Sequence, residues 1–241
     1  MGKIKLVFLS IFVICVMSCE FIDEDRIFPF FAYHWQAHPR YDDRGATRSL
    51  NVATVSFNVD LSPEVNRNRI VYFIDKINAE HPDVRLILFP ETTLGYYYRR
   101  SNPAEYQRSI AETIPGITTN VISQKAYEHQ IYISFGMVEL SGEVLFNSQV
   151  LIGPDGLIRS VYRKRNLVPQ DRRNGFTEGR DFVLDIIDNI KVATIICADI
   201  DSLRVNRDIH RSRAELVLLP VATETSPLNN LLPHNGHLRG Y

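Results

Sequence analysis

Three residues that are far apart in the sequence have side chains that together could activate a thiol. Glu91, Lys164 and Cys197 each lie where a predicted β-strand ends. A thiol of ordinary pKa is mostly protonated at neutral pH, so it needs a neighbouring base or cation to become a good nucleophile. A carboxylate can take the proton, and a lysine ammonium can stabilise the oxyanion of a tetrahedral intermediate. These residue types predict attack by sulfur on a carbonyl carbon.

Each of the three residues also has an ordinary structural interpretation. Glu91 could cap the next turn, Lys164 could be a solvated charge in a basic run, and Cys197 could be a small buried hydrophobe. Ligands of open α/β sheets bind in the crevice beyond the carboxyl ends of the strands. The joint occurrence of the three residues at strand ends therefore favours a site. Backbone N–H groups after the cysteine, beginning with Ala198, would contribute to its oxyanion hole.

Other residues support weaker alternatives. A cysteine–histidine hydrolase would need His129 or His210 as its base, and neither histidine lies in a recognisable motif. The run Tyr96-Tyr97-Tyr98 could line a substrate mouth, although aromatic packing explains it equally well. His34 and His38 are four residues apart without an acidic or cysteine partner nearby, so we expect no metal site.

The elements that must position the site alternate between strands and helices. Strands are predicted over 50–59, 84–89, 131–140, 144–153, 157–164, 181–188, 190–196 and 216–220, and helices over 63–80, 119–130 and 202–214. Apolar strands that alternate with helices indicate an α/β domain with buried sheets. The sequence contains neither a P-loop nor a dinucleotide fingerprint, and no cofactor is expected.

The beginning of the sequence predicts a targeting signal over residues 1–18. A short basic head precedes Leu6 to Met17, a run that is apolar apart from Ser10. This run is too short to cross a bilayer as a lone helix, and its flanks fit a secretory signal. Val16-Met17-Ser18-Cys19 resembles the lipobox of bacterial lipoproteins, in which cleavage leaves the cysteine to carry lipid. An ordinary cleaved signal or a single anchor helix is the alternative.

The lipobox would place the protein in a bacterial cell envelope. Lipid on Cys19 would hold it on a membrane surface, at the periplasmic face or the cell surface. We interpret residues 19–49 as a tether and irregular segment and residues 50–241 as the globular domain. Since Cys15 would leave with the signal, Cys197 would be the free thiol of the exported chain.

Three segments resemble the nitrilase (carbon–nitrogen hydrolase) superfamily over about Leu50 to Pro220: FPETTLGYY, YRKRNLVP and TIICADI, in this order. The resemblance implies a four-layer α-β-β-α sandwich. It also implies that Glu91 is the general base, Lys164 the oxyanion stabiliser and Cys197 the nucleophile. The segments FNSQVLIGPDG and YRKRNLVP look most like the apolipoprotein N-acyltransferase branch, whose members transfer an acyl chain through a cysteine thioester.

The sequence departs from the family pattern near the lysine. Arg172 stands where many members have a second glutamate, and Asp171 and Glu178 are the carboxylates nearby. Asn166 stands where the family often has histidine. Asp199 matches an acidic residue of the acyltransferase branch and is a candidate support residue. Because the family adds further strands and a helix after the last predicted strand, the resemblance implies a C-terminally incomplete domain.

The sequence therefore predicts a lipid-anchored hydrolase that cleaves a non-peptide amide through a cysteine thioester. An N-acyltransferase that uses the same thioester, or an inactive binding or scaffold lipoprotein, remains the alternative. The partner is a small-molecule amide or acyl donor, and the resemblance implies a homodimer. With 27 basic and 28 acidic residues the chain has a formal charge of −1, which argues against a nucleic-acid partner.

Overall fold

Two β-sheets form the centre of the computed structural model, which describes residues 48–222. The predicted signal peptide, Cys19 and most of the tether fall outside the described residues, as do residues 223–241. No helix within the described range is both long and apolar enough for a membrane span.

The elements follow one another in an alternating order. They are β1 (Val52–Thr54), α1 (Pro63–Glu80), β2 (Leu86–Leu88), α2 (Pro103–Ile110), α3 (Ile117–His129), β3 (Tyr132–Ser141), β4 (Val144–Ile152), β5 (Ile158–Arg163), α4 (Pro169–Arg173), β6 (Leu184–Ile187), β7 (Ile190–Thr194), a 3-10 helix (Cys197–Asp201), α5 (Leu203–Ser212) and β8 (Leu216–Leu218). The larger sheet has the order β1-β2-β3-β4-β5, and the smaller has the order β6-β7-β8. Strands β1 to β3 are parallel, as are β7 and β8, while β4, β5 and β6 pair antiparallel with their neighbours.

The two faces of the larger sheet pack against different layers. Ile87 of β2 is buried against α1 and α3, with Ile74 and Ile122 among its cluster. The neighbouring Leu86 packs in a cluster that includes Val192 of the smaller sheet. Successive side chains of a strand point to opposite faces, so one apolar strand serves both layers. This double burial explains why the strand is apolar at every position.

Helix α5 covers the other side of the smaller sheet. Val205 of α5 is buried in a cluster with Ile195 and Ile196, and Val217 of β8 packs against the same cluster. The layers thus run helix, sheet, sheet, helix. The predicted four-layer α/β sandwich of the nitrilase type is confirmed.

Local sequence signals explain several element boundaries. Helix α1 begins as predicted, because Ser62 caps it by accepting a hydrogen bond from the Val65 N–H and Pro63 occupies the first turn. Asp188 and Asn189 both have positive φ values, 45° and 66°. Positive φ at both central residues is what a type I′ hairpin turn requires, so β6 and β7 form the predicted hairpin.

A shortened strand and a missed helix illustrate how the structure differs from the sequence predictions. The strand predicted over 50–59 shrinks to Val52–Thr54, since β1 is an edge strand that pairs with only the three residues of β2. Helix α2 was not predicted because it is short and mostly polar. It nevertheless buries Tyr106 and Ile110 beneath the loop that follows β2.

Candidate active site

Glu91 lies in the loop after β2, and strand β3 holds this loop at close range. The Gly136 N–H donates to Pro90 O at 3.1 Å, and the Thr93 N–H donates to Gly136 O at 2.9 Å. A Cβ atom on Gly136 would lie 2.5 Å from Pro90 O and 2.8 Å from Glu91 Cα. Only glycine permits this approach, so residue 136 determines where the Glu91 backbone can lie.

Lys164 lies directly after β5 and points into the molecule. Its ammonium is 3.0 Å from Glu91 Oε1 and 2.8 Å from Asp171 Oδ2, and all three side chains are fully buried. Burial alone would lower the pKa of Lys164, but the charges of Glu91 and Asp171 outweigh it and raise the pKa. Lys164 is therefore a permanent buried cation and not a solvated surface charge.

Cys197 begins the 3-10 helix that follows β7, with a left-handed φ of 49°. Such a backbone conformation costs a non-glycine residue of the order of 1–3 kcal/mol and is typical of functional sites. Its N–H donates to Pro220 O at 3.0 Å, and the residue is partly exposed. Cys197 therefore lies at the border between the buried polar cluster and solvent.

The Cys197 thiol lies within electrostatic reach of the Glu91 carboxyl. Burial and the negative charge of Glu91 raise the pKa of Cys197 to about 12, although Lys164 and the Ala198 N–H favour the thiolate. The thiol therefore keeps its proton at neutral pH. It becomes a nucleophile only when a base removes that proton as the sulfur attacks.

The carboxyl of Glu91 accepts hydrogen bonds on both oxygens. Asn147 Nδ2 donates to Oε1 at 2.7 Å, beside Lys164, and the Ala222 N–H donates to Oε2 at 2.8 Å. Burial raises the pKa of Glu91, and the ammonium of Lys164 opposes this rise. The carboxylate is thus a stronger base than an exposed glutamate.

Asp171 completes the buried cluster, and the sequence analysis left it open beside Glu178. Its carboxylate accepts from Tyr97 Oη at 2.8 Å and from the Val168 N–H at 2.9 Å. Glu178 is instead half-exposed and pairs with Arg204, while Arg172 is exposed. The available signal was Pro169 opening a short helix, because an aspartate in the first turn then faces the helix start.

Asp199 links the 3-10 helix that begins at Cys197 to the residues after Lys164 by hydrogen bonds. Its buried carboxylate accepts from the Arg165 N–H at 3.1 Å and the Asn166 N–H at 2.6 Å, and from the Ile196 N–H at 2.9 Å. The Asn166 amide in turn donates to Ala198 O at 2.7 Å. Asp199 therefore lies behind the site, where it can hold Cys197 in register with Lys164.

The remaining candidates lie away from this cluster. His129 contacts Asp75 at 2.7 Å between α1 and α3, and His210 is exposed on α5. Nothing within residues 48–222 links either histidine to the thiol, and this range holds no group of three potential metal ligands. A surface hollow of about 460 Å³ lies at the loop after β2 and is lined by Leu61, Tyr96, Tyr98, Arg99, Arg100 and Ser101.

Comparison with known proteins identifies the family to which this fold belongs. The model of the carbon–nitrogen hydrolase family matches residues 51–237. The chain belongs to the carbon–nitrogen hydrolase family, the nitrilase superfamily.

Two curated relatives illustrate the similarity within this family. The chain is 29% identical to an (R)-stereoselective amidase of Pseudomonas sp. over 137 residues, which are 57% of this chain and 48% of the relative. It is 32% identical to a nitrilase of Pyrococcus abyssi over 155 residues, which are 62% of this chain and 56% of the relative. The chain thus spans about half the length of these curated relatives.

A solved structure shares the fold. The crystal structure of an amidase from Nesterenkonia sp. matches 75% of this chain and 68% of its own, with a TM-score of 0.63 and 17% identity.

Proposed function

We propose that this chain is a thiol-dependent amide hydrolase. The observation that carries the proposal is the buried contact of Glu91 with Lys164 at 3.0 Å, with the Cys197 thiol close enough for the same carboxyl to raise its pKa. A base, a cation and a protonated sulfur therefore meet where a carbonyl group could reach them. Family membership and the amidase and nitrilase relatives support this choice.

The first half-reaction forms a thioester. The Cys197 sulfur bonds to the amide carbon while Glu91 takes the thiol proton, and the carbonyl π-electrons move to oxygen. The Lys164 ammonium and the Ala198 N–H stabilise that oxyanion. When the intermediate collapses, the carbon–nitrogen bond breaks and protonated Glu91 gives its proton to the leaving amine or ammonia.

The second half-reaction clears the thioester. Glu91, again a carboxylate, takes a proton from a water molecule as the water oxygen attacks the thioester carbon. Collapse of this second intermediate breaks the carbon–sulfur bond and releases a carboxylic acid, while the sulfur recovers the proton from Glu91. No redox partner is needed: the thiol proton that leaves with the amine is replaced by a proton from water, and no atom changes its oxidation state.

Intact-mass analysis tests the proposal. The full chain is incubated with a panel of simple amides and activated acyl esters, and an added acyl mass is expected on wild-type protein but not on Cys197→Ala. Lys164→Met should lose the adduct, whereas Lys191→Met, at an exposed lysine on β7, should keep it. A folded wild-type protein that forms no adduct with any probe would favour a binding or scaffold role.

The same assay separates hydrolysis from acyl transfer. Amine acceptors added to the acylated protein should leave the product as the free acid if the protein is a hydrolase. Acylated amine as the main product would instead identify an acyltransferase. Nitriles belong in the panel as well, because one of the relatives is named a nitrilase.

We further propose that Cys19 carries lipid and anchors the protein in a bacterial cell envelope. The basis is the basic head, the short apolar run and the Val16-Met17-Ser18-Cys19 segment. Expression in a bacterium fed a clickable fatty acid should label the wild-type chain. Cys15→Ala, a matched control inside the signal, should keep the label, and Cys19→Ala should lose it. Equal labelling of both variants would refute the anchor.

A further inference from the structure

A buried asparagine lies between the two carboxylates of the site. Asn147 is on β4 and has no exposed surface. Its Nδ2 is 2.7 Å from Glu91 Oε1 and 3.3 Å from Asp171 Oδ1. The amide therefore donates to both anions, while the ammonium of Lys164 bridges them from another direction.

Counting acceptor positions on the Glu91 carboxyl shows which oxygen is free. Each carboxylate oxygen can accept about two hydrogen bonds. Oε1 already accepts from Asn147 and Lys164, so its positions are filled. Among residues 48–222, Oε2 accepts one hydrogen bond, from the Ala222 N–H, and keeps one open position.

We propose that Asn147 is a positioning residue that fixes the Glu91 carboxyl and leaves Oε2 as the oxygen that takes the Cys197 proton. The inference rests on the proposed role of Glu91 as the base. Without the amide, Oε1 would hold an open position as well, and a proton could settle on the oxygen next to Lys164. From there it would be poorly placed to return to sulfur or to pass to a leaving amine.

The chemistry of Asn147 suits this task. The titratable groups that surround Glu91 are Lys164, Asp171, Cys197 and Tyr97. An amide is a neutral donor at every pH, so it stabilises the carboxylate without adding a charge that titrates. Its own oxygen is buried without a hydrogen-bond partner among the described residues, which indicates that the donor side determines its placement.

The chain offers a matched control two residues further along the same face of β4. Gln149 is also buried and also has an amide oxygen without a partner in the described structure. Its Nε2 donates to Phe89 O at 3.3 Å and to Ser134 Oγ at 3.0 Å, and within the described part of the chain it donates to no carboxylate. Replacement of either amide by leucine thus removes a similar buried group, but only one of them serves Glu91.

The experiment measures alkylation of Cys197 by iodoacetamide as a function of pH, followed by intact mass. Asn147→Leu removes a hydrogen bond to the anionic Glu91, so the carboxyl holds its proton to higher pH. The acid limb of the alkylation profile should move upward by about one pH unit or more. Gln149→Leu should keep the wild-type acid limb, and circular dichroism should show both variants folded.

An acid limb of folded Asn147→Leu that coincides with the wild type would overturn the inference. If the leucine variant does not fold, Asn147→Thr makes the same comparison, because threonine suits a strand and its hydroxyl is too short to reach both carboxylates. Alkylation needs no substrate. If the acid limb moves but wild-type protein acylates with no amide or ester, the hydrolase proposal fails while the role of Asn147 is supported.

Discussion

Replacement of Asp171 by asparagine should move the pH dependence of the reaction toward acid. The asparagine is nearly isosteric and removes one negative charge from a fully buried position. Asp171 raises the pKa of Glu91, so its neutralisation lowers the pH at which Glu91 becomes an active base. The acid limb of kcat/KM, which requires ionised Glu91, therefore moves to lower pH.

The structure sets the size of this shift. Lys164 Nζ lies 2.8 Å from Asp171 and 3.0 Å from Glu91, so the carboxylate oxygens are at most about 6 Å apart. Two like charges at that distance repel by about 3 kcal/mol at an effective dielectric constant of about 20. That energy corresponds to about two pKa units, and we expect a measured shift between about one and two pH units.

The assay is the kcat/KM profile on an amide that acylates the wild-type protein, with Cys197 alkylation as a substrate-free second measurement. Asp185→Asn is the control, since Asp185 is partly buried on β6 and is hydrogen-bonded to Ser160 outside the site. The control should keep the wild-type profile. Superimposed profiles of wild type and folded Asp171→Asn would refute the electrostatic reasoning.

Three further substitutions have distinct expected outcomes. Glu91→Gln should abolish turnover, yet it should lower the pKa of the Cys197 thiol below about 12, because the negative charge that raises this pKa is gone. Iodoacetamide alkylation measured against pH would show the shift, and an unchanged profile would contradict it. Lys164→Met should reduce kcat by about a hundredfold or more, with Lys191→Met at wild-type rate; equal rates would remove the oxyanion role. Gly136→Ala should lower the free energy of unfolding by about 1–3 kcal/mol and slow alkylation, because its Cβ would meet the Glu91 loop. Gly142→Ala, at a turn with open space around it, should lower stability through its positive φ without slowing alkylation, and thermal unfolding would separate the two.

Much of the fold follows from local patterns in the sequence. Helix α1 has a serine cap and a proline in its first turn, and the β6–β7 hairpin has residues that tolerate positive φ. The buried strands β3 and β4 are long enough to be recognised by composition alone. The short edge strand β1 is harder to delimit, because its length depends on how few residues β2 offers for pairing.

The sequence likewise predicts some residues of the site but not others. Glu91, Lys164 and Cys197 could be selected because their types and their places after strands suggest one reaction. Asp171 could not be preferred over Glu178 from spacing, since the direction of a side chain in a one-turn helix decides which carboxylate reaches Lys164. The hydrogen bond from the Ala222 N–H to Glu91 could not be predicted either, because any residue type except proline offers the same backbone donor.

The proposed reactants are divided between the two sheets. Glu91 follows β2 of the larger sheet and Cys197 follows β7 of the smaller one. An apolar seam of side chains lies between the two sheets, with Leu86 and Leu151 in one cluster with Val192 and Leu218. The distance between the sulfur and the carboxylate therefore depends on how closely the two sheets pack. A methyl group gained or lost there would alter the reactivity of the thiol from buried positions between the sheets, at a distance from the reacting groups themselves.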